Sequence, residues 1–408
     1  MWRVTACATP QLWSRFTVSI GGKSVLPNHG LLRLSGSVPL VIHYTPDVPS
    51  EGTLLVLFHQ LKPHAAHWGS ITLCGSSEIF ASQPCVDLPA LEEARLVIVQ
   101  DEVNHETFTL TRDGMLGFLF AAPRLKRLEL SSEFNPIFYY NRGWTALNLP
   151  VYPHLTHLML KMPYIHLNMG ELAGWLEASG ASLSSIILDV QLKEGDSAYG
   201  HAAGALPPNV RPVHLPRLRS LNLGVDSARF LAHIIAPSPE DLALHMSRLV
   251  SQNPFIALLA FASRPGASLS SLRTLTLMGS GVWMHISFWK CAECMDGLRK
   301  LHLRGKASWQ PILSKELLAK MTCDSEASSC GTEPSDAMAG LTPAESMARR
   351  PLFPLLTTLK VEFEDKLPTP TLQNALDDMV ASRSEARSVN GWVVARLANV
   401  EVKTVQKV

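Results

Sequence analysis

The sequence has few cysteines and gives them no regular spacing. There are seven among 408 residues, at positions 7, 74, 85, 291, 294, 323 and 330. An odd count without a pattern argues against a disulfide framework of the kind found in small secreted domains. The chain also lacks any Asn-x-Ser/Thr glycosylation site. Both absences predict a reducing compartment, so we expect the protein in the cytoplasm or the nucleus.

An excess of one charge is also missing, since 36 Lys and Arg residues are balanced by 35 Asp and Glu residues. This balance gives no overall attraction to nucleic acid or to an anionic membrane. Residues Met1 to Pro10 contain no long apolar stretch, which argues against a signal peptide. The most apolar windows, such as Phe255 to Ala262, are much shorter than the roughly 20 residues of a spanning helix. We therefore expect neither nucleic acid nor a membrane as a partner.

Sequence motifs of the common enzyme classes are missing as well. The chain contains no Gly-x-x-x-x-Gly-Lys-Ser/Thr, no Gly-x-Gly-x-x-Gly, no His-Glu-x-x-His and no Gly-x-Ser-x-Gly. Acidic groups such as Glu92-Glu93, Glu362-Glu364-Asp365 and Asp377-Asp378 are interpreted as solvated turn or helix surface. We expect no catalytic activity and no cofactor.

What the chain does contain is a repeated phrase, Leu-x-x-Leu-x-Leu. The clear copies are Leu125-Leu128-Leu130, Leu155-Leu158-Leu160, Leu218-Leu221-Leu223, Leu272-Leu275-Leu277, Leu298-Leu301-Leu303 and Leu356-Leu359-Val361. The weaker copies are Trp68-Ile71-Leu73, Leu91-Ala94-Leu96, Leu183-Ile186-Leu188 and Leu397-Val400-Val402. In most copies a polar residue separates the last two apolar positions, which predicts one face of a short strand. One such unit cannot bury its apolar face alone, whereas stacked neighbours can.

The spacing of the phrase predicts the fold class. Helix-like stretches lie between copies, at Glu171 to Ser179, Pro254 to Ser263 and Pro370 to Ser382. The first two run into the same hexapeptide, Gly-Ala-Ser-Leu-Ser-Ser, which indicates internal duplication. We predict an α/β leucine-rich-repeat solenoid, horseshoe-like and with irregular repeats. Two long steps, from Leu218 to Leu272 and from Leu298 to Leu356, predict either an extra degenerate unit or an insertion at each place.

The segment 322–350 breaks the pattern. It is rich in Ser, Ala, Glu, Thr and Pro and has no apolar periodicity. We interpret it as a largely disordered insertion within the array. A phosphorylation site or a partner motif is one reading of this segment, and a neutral insertion is the favoured one.

The concave face of the predicted solenoid is the expected binding surface, because side chains between the strand leucines point there. It would bind a protein target. The residues assigned to it are Arg127, Glu129, His157, Lys161, Asn222, Thr276, Lys300, His302, Arg304 and Lys360, with Met159, Ser220, Thr274 and Glu362 among their neighbours. Lys300, His302 and Arg304 follow one another along one strand and suit an acidic or phosphorylated peptide. For any single residue, a solvated strand surface is the simpler interpretation.

Two clusters raise the question of a metal site. Cys291-x-x-Cys294 has His285 and His302 nearby, and His59, His64 and His67 form a second group. No second Cys-x-x-Cys follows, and a loop followed by a strand does not promise the tetrahedral convergence that zinc needs. We favour ordinary thiols and loop histidines, and expect no metal.

The amino terminus carries the clearest family likeness. "ATPQLWS" (8–14) is followed by "LRLSGSVPLVIHY" (32–44) and "HAAHWGSITL" (64–73). These phrases, with "APRLKRLEL" and "GASLSSLRTLTL" further on, resemble fungal F-box/leucine-rich-repeat proteins, and the likeness covers nearly the whole chain.

The resemblance implies a substrate receptor of a cullin-type ubiquitin ligase, in which the F-box holds an adaptor subunit. Here Met1 falls within what would be the last F-box helix. The implied arrangement is an F-box remnant at 1–20 with Trp2, Leu12 and Trp13 packing on the first repeat, a solenoid at 21–402, and a tail at 403–408. The adaptor is expected as a partner only if the missing helices lie upstream. The alternative is a stand-alone interaction scaffold without a ubiquitin role.

Overall fold

The computed structural model describes most of the chain, with gaps. The described residues are 2–18, 29–45, 51–99, 116–133, 149–193, 211–246, 253–279, 286–306, 313–323, 352–365, 368–389 and 392–405. The chain divides into two compact units, Met1–Pro237 and Ser238–Val408. Both combine helices with parallel strands, so the predicted α/β class is confirmed.

Unit 1 is built on a parallel ladder whose strands, among the described residues, follow chain order. Its strands are β1 (Arg15–Val18), β2 (Leu40–Tyr44), β3 (Trp68–Gly75), β4 (Glu93–Val99), β5 (Arg127–Glu133), β6 (His157–Asn168), β7 (Ser185–Lys193), β8 (Val213–His214), β9 (Ser220–Leu223) and β10 (Ile234–Ile235). The short β8 and β10 pair only with each other, and the rest form the ladder.

The helices of unit 1 precede β1 or lie between these strands. They are α1 (Trp2–Cys7), α2 (His29–Leu34), α3 (Glu51–Leu61), α4 (Ser77–Ser82) and α5 (Met169–Ser179), with 3-10 turns at Pro10–Trp13, Lys62–His67, Gly117–Leu119, Gly180–Ser182 and Asp226–His233. The helix predicted at Glu171 to Ser179 is thus confirmed as α5. It begins where the Asn168 side chain accepts hydrogen bonds from the amides of Gly170 and Glu171.

Unit 2 repeats the same plan. Its strands are β11 (Asp241–Met246), β12 (Thr274–Gly279), β13 (Lys300–Gly305), β14 (Thr358–Phe363), β15 (Arg387–Val389), β16 (Trp392–Val394) and β17 (Asn399–Thr404). Its helices are α6 (Pro254–Ala262), α7 (Ile286–Glu293), α8 (Lys315–Met321) and α9 (Pro370–Ser382). Strands β11, β12, β13, β14 and β17 pair in parallel in that order, and β15 and β16 form an antiparallel hairpin. The helices predicted near 254 and 370 are confirmed.

The aliphatic positions of the repeated phrase line up from strand to strand. One row of unit 1 consists of Ile42, Ile71, Ala94, Leu128, Leu158, Ile186 and Leu221, all buried. One row of unit 2 runs through Leu244, Leu277, Leu303, Val361 and Val402. A strand one residue out of register would turn its leucines to the other face, so burial of these rows fixes the pairing.

The two long steps in the repeat have different causes. Between Leu218 and Leu272 lies β11, whose Leu242 and Leu244 pair with Leu275 and Leu277, so an extra unit is present there. Between the end of β13 and Leu356 the described residues include α8 but no further strand. Most of the segment predicted as an insertion, 324–350, lies outside the described residues.

The boundaries drawn from the sequence differ from the ladder at both ends. β1 already pairs with β2, so the parallel ladder begins at Arg15, inside the range assigned to the F-box remnant. β17 extends to Thr404, so Lys403 and Thr404 belong to a strand and not to a tail. Residues 406–408 lie outside the described residues.

A buried arginine holds the last part of unit 2 together. Arg383 follows α9 and has no exposed surface. Its guanidinium donates to the carbonyl oxygens of Met321 at 2.8 Å, Phe353 at 2.9 Å and Leu352 at 2.7 Å. The amide of Leu352 also donates to the carbonyl of Lys320. The chain on either side of residues 324–351 is therefore joined at one point.

Candidate partner-binding surface

Each ladder has an open face, which we define as the face opposite the buried aliphatic rows. In β13, Leu301 and Leu303 are buried, while Lys300 is exposed and His302 and Arg304 are half-buried. The strand alternation that buries the leucines thus turns the intervening polar side chains toward solvent. The predicted binding residues lie on these open faces.

In unit 2 the register brings several of the predicted residues together. Thr276, His302 and Lys360 occupy one row on three neighbouring strands. Lys300 and Arg304 flank His302 along β13, in the rows on either side. Five of the ten predicted residues therefore form a single patch.

The centre of this patch is Glu362, whose side chain is only 7% exposed. Its carboxylate lies 2.8 Å from Lys360 Nζ and 3.2 Å from Lys403 Nζ. His302 Nε2 is 3.5 Å from it, and Arg304 Nε is 3.8 Å away. The interpretation of Glu362 as solvated turn or helix surface is wrong, because four basic side chains from three strands cover it. We call Glu362, Lys360, Lys403, His302 and Arg304 the Glu362 cluster.

Electrostatics within the Glu362 cluster favour an ionised carboxylate. Burial alone would raise the pKa of Glu362, but hydrogen bonds from Lys360 and Lys403 and the nearby His302 outweigh it and lower this pKa to about 2. Glu362 is therefore charged at neutral pH. The pKa of Lys403 is raised in turn by hydrogen bonds to Glu401 and Glu362.

His302 behaves differently from the other basic groups of the cluster. Burial lowers its pKa, and the positive charges of Lys360 and Arg304 act in the same direction, although Glu362 opposes them. The imidazole is therefore neutral at pH 7. Its Nε2 makes no hydrogen bond within the described structure, so the 3.5 Å approach to Glu362 is a contact and not an aligned bond.

The cluster holds its cations in place while leaving part of each in solvent. Arg304, Lys360 and Lys403 side chains remain 39%, 32% and 44% exposed. Lys300 is exposed and forms no ion pair with any described residue. With Glu364 and Glu401 at the rim, four cations stand against three carboxylates. The arrangement presents pre-positioned cationic groups to an incoming anion.

In unit 1 the predicted residues are more dispersed. Arg127 and His157 are neighbours on β5 and β6, and the His157 ring nitrogen Nδ1 lies 2.8 Å from the Thr156 hydroxyl. Glu129 pairs with Arg95 at 3.6 Å. Lys161 lies beside Asp189 in the register.

The remaining predicted residue of unit 1, Asn222, lies beside Ile187 on the neighbouring strand. β6 and β7 separate it from Glu129. The register therefore does not gather the charges of this face into one patch.

The amino-terminal aromatic residues do not pack as expected. Trp2 is 77% exposed and Leu12 is 55% exposed, so the prediction that they pack against the first repeat is wrong for both. Trp13 is half-buried, and its indole nitrogen donates to the carbonyl of Ala6 at 2.7 Å. The contact fixes the 3-10 turn at Pro10–Trp13 against α1, just before β1 begins.

The cysteine and histidine clusters do not assemble into a ligand set within the described residues. No group of three or more His, Cys, Asp or Glu side chains that could hold a metal ion occurs there. Cys291 is buried and its thiol points to the Phe255 carbonyl at 3.5 Å; burial and Cys294 raise its pKa to about 12. His302 belongs to the Glu362 cluster, and His285 lies outside the described residues.

Comparison with known proteins gives no family for this chain. No protein-family model matches it, and no curated protein matches it. None of the helices in the described ranges has the length and apolar character needed to cross a membrane.

Proposed function

We propose that the chain is a leucine-rich-repeat solenoid that binds a protein target on its open face and carries out no catalysis. The observation that supports this best is the contrast between the two faces of each ladder. The aliphatic rows are buried, whereas polar side chains from successive strands form rows on the other face. Repeat proteins use such extended surfaces to hold partners.

The Glu362 cluster with Lys300 is the proposed contact for the target. Lys300 and the exposed parts of Arg304, Lys360 and Lys403 suit carboxylate or phosphate oxygens. The Arg304, Lys360 and Lys403 side chains are held by Glu362 before binding, so less of their freedom is lost when a ligand arrives. The proposed ligand is an acidic or phosphorylated segment of the target protein.

The proposed setting is a cullin-type ubiquitin ligase, with this chain as the substrate-recognition part. It rests on the resemblance of 8–14, 32–44 and 64–73 to F-box/leucine-rich-repeat proteins. The alternative is an interaction scaffold with no ubiquitin role.

The open-face proposal is tested with a labelled phosphoserine-rich peptide and its unphosphorylated twin, by fluorescence anisotropy. Wild-type protein should bind the phosphorylated peptide more tightly. Lys300→Glu with Arg304→Glu should weaken that binding about tenfold or more, equivalent to about 1.4 kcal/mol. The matched control, Arg127→Glu with Lys161→Glu, makes the same charge change in unit 1 and should leave affinity within about twofold. Equal weakening by both pairs, or none by either, would reject the site.

The ligase setting needs a separate test. Purified adaptor subunit should be retained by a version of the protein that includes any in-frame upstream F-box helices. Retention that Leu12→Asp then abolishes would support the ligase role. Absence of retention by both the present chain and the extended one would leave the scaffold as the function.

A further inference from the structure

The last strand of unit 2 has one unpaired edge in the described structure. β17 pairs with β14, and the amides of Asn399 and Val405 donate to the carbonyls of Thr357 at 3.1 Å and Phe363 at 2.7 Å. Alternate amides of a strand point to opposite edges. The N–H and C=O groups of Val400, Val402 and Thr404 therefore point away from β14, where no described strand meets them. A row of unsatisfied groups of this kind is a template for another strand.

The apolar side of β17 is also less well covered than its neighbours. In the aliphatic rows, Leu359 and Val361 are fully buried, whereas their partners Val400 and Val402 are only half-buried. Nearby in the chain, Val393 of the β15–β16 hairpin is 69% exposed. A further strand beside β17 would extend the buried rows by one step.

We infer that β17 pairs antiparallel with β17 of a second copy of this chain, about a two-fold axis at Val402. The charges select the partner and the register. In this pairing Glu401 stands opposite Lys403 of the second copy, and Lys403 stands opposite its Glu401. Sliding one strand by two residues in either direction would keep the hydrogen-bonding edge the same. It would place Glu401 opposite Glu401, or Lys403 opposite Lys403, which destabilises the pairing.

Hydrogen-bond geometry favours the same register. Val402 faces Val402, and Val400 faces Thr404, so all the outward-pointing backbone groups meet one another as hydrogen-bonded pairs. Glu401 and Lys403 then fall at the non-hydrogen-bonded sites, where facing side chains of antiparallel strands lie closest. The Val400 and Val402 side chains of both copies share one face. The interface is isologous, as expected of a closed dimer. It does not depend on the function proposed for the open face.

The dimer is tested with the full chain. Sedimentation of wild-type protein should show concentration-dependent dimerisation. Deuterium exchange of the peptide spanning Val400 to Thr404 should slow as the dimer forms. A wild-type protein that stays monomeric across the micromolar range overturns the proposal. So does a dimer whose formation leaves exchange at these amides unchanged, because the copies would then meet elsewhere.

Charge reversal at one residue at a time tests the register, and mixing the two variants tests whether the β17 strands face each other. Glu401→Lys alone places lysines opposite each other, and Lys403→Glu alone places glutamates opposite each other, so each variant should dimerise more weakly than wild type. Mixed together, they restore two opposite-charge pairs and should form a heterodimer. Circular dichroism checks that each variant is folded. If the folded single variants dimerise as well as wild type, the register is wrong. If they do not associate better mixed than separately, the two β17 strands do not face each other. If either fails to fold, the wild-type exchange measurement decides.

Discussion

The two units share one plan but bury different kinds of polar side chain. Within the described residues, unit 1 buries hydroxyl groups and one imidazole, those of Ser14, Ser35, Ser76, Ser179, Ser227 and His233. Unit 2 buries Ser287 but also the charged groups of Glu362 and Arg383. A buried hydroxyl needs one or two hydrogen bonds, whereas a buried charge needs a set of partners drawn from several elements. The stability of unit 2 should therefore depend on charge and pH in ways that unit 1 does not.

The largest expected effect follows removal of the buried guanidinium. Arg383→Met leaves the carbonyls of Met321, Leu352 and Phe353 without their donor and should lower the free energy of unfolding of unit 2 by about 3–5 kcal/mol. Deuterium exchange of α8 and α9 peptides would report this loss locally. Arg396→Met, at an exposed arginine, is the control and should change little. If both substitutions had an equally mild effect, Arg383 would not stabilise unit 2 in the way proposed.

A smaller loss should follow neutralisation of the Glu362 cluster. Glu362→Gln removes the charge that holds Lys360 and Lys403, and should destabilise unit 2 by about 2 kcal/mol, less than for a fully buried pair because both lysines remain partly in water. Urea unfolding at neutral pH measures the change. Glu401→Gln, at an exposed carboxylate that also contacts Lys403, is the matched control. Comparable losses in the two variants would show that the burial of Glu362 is unimportant.

The same pair of proteins gives a pH prediction. The pKa of Glu362 is lowered in the folded state, from 4.5 to about 2. Its contribution is therefore fully present above the unfolded-state pKa and is lost as pH falls through the folded-state pKa. The stability difference between wild type and Glu362→Gln should be constant near neutrality and shrink as pH falls from 4.5 toward 2. A difference that does not change over this window would contradict the assigned shift.

The smallest effect is expected in unit 1. The Ser227 hydroxyl accepts from the amide of Val190 at 3.0 Å and donates to its carbonyl at 2.8 Å, continuing the edge of β7. Ser227→Ala should cost about 1–2 kcal/mol. Because no charge is involved, the cost should be the same at acid and neutral pH, measured by the same urea titration. A marked pH dependence would contradict the proposal that buried polar groups make the stability of unit 2, but not of unit 1, depend on pH.

The strands were predictable from the sequence because their pattern is local. Two apolar residues separated by one polar residue mark β5, β9, β12, β13 and β14 directly, and β6 has the same pair of leucines around Met159. β11 was not predicted because Pro239 occupies the position of the first leucine of the phrase, although Leu242 and Leu244 occupy the other two positions. An apolar pair without its anchor is a weaker signal, yet the long gap from Leu218 to Leu272 did point to it.

The Glu362 cluster was only partly predictable. Alternation placed Lys300, His302, Arg304 and Lys360 on one face. This assignment can be made from the sequence of each strand alone. The depth of Glu362 depends instead on Lys403, which was assigned to a tail, and on which strands become neighbours. Arg383 gave no signal at all, because its three acceptors are backbone carbonyls, which any sequence supplies.

The central claim is that the aliphatic triplets lie in register on neighbouring parallel strands. It is tested by thiol pairs on unit 2, in protein whose native exposed cysteines are replaced by serine. Dibromobimane, which fluoresces when it joins two nearby thiols, should link Thr276→Cys to His302→Cys, since neighbouring strands lie about 4.8 Å apart. It should not link Thr276→Cys to Lys360→Cys, which lie two strands or about 10 Å apart. Linking of the second pair, or of neither, would contradict the ladder.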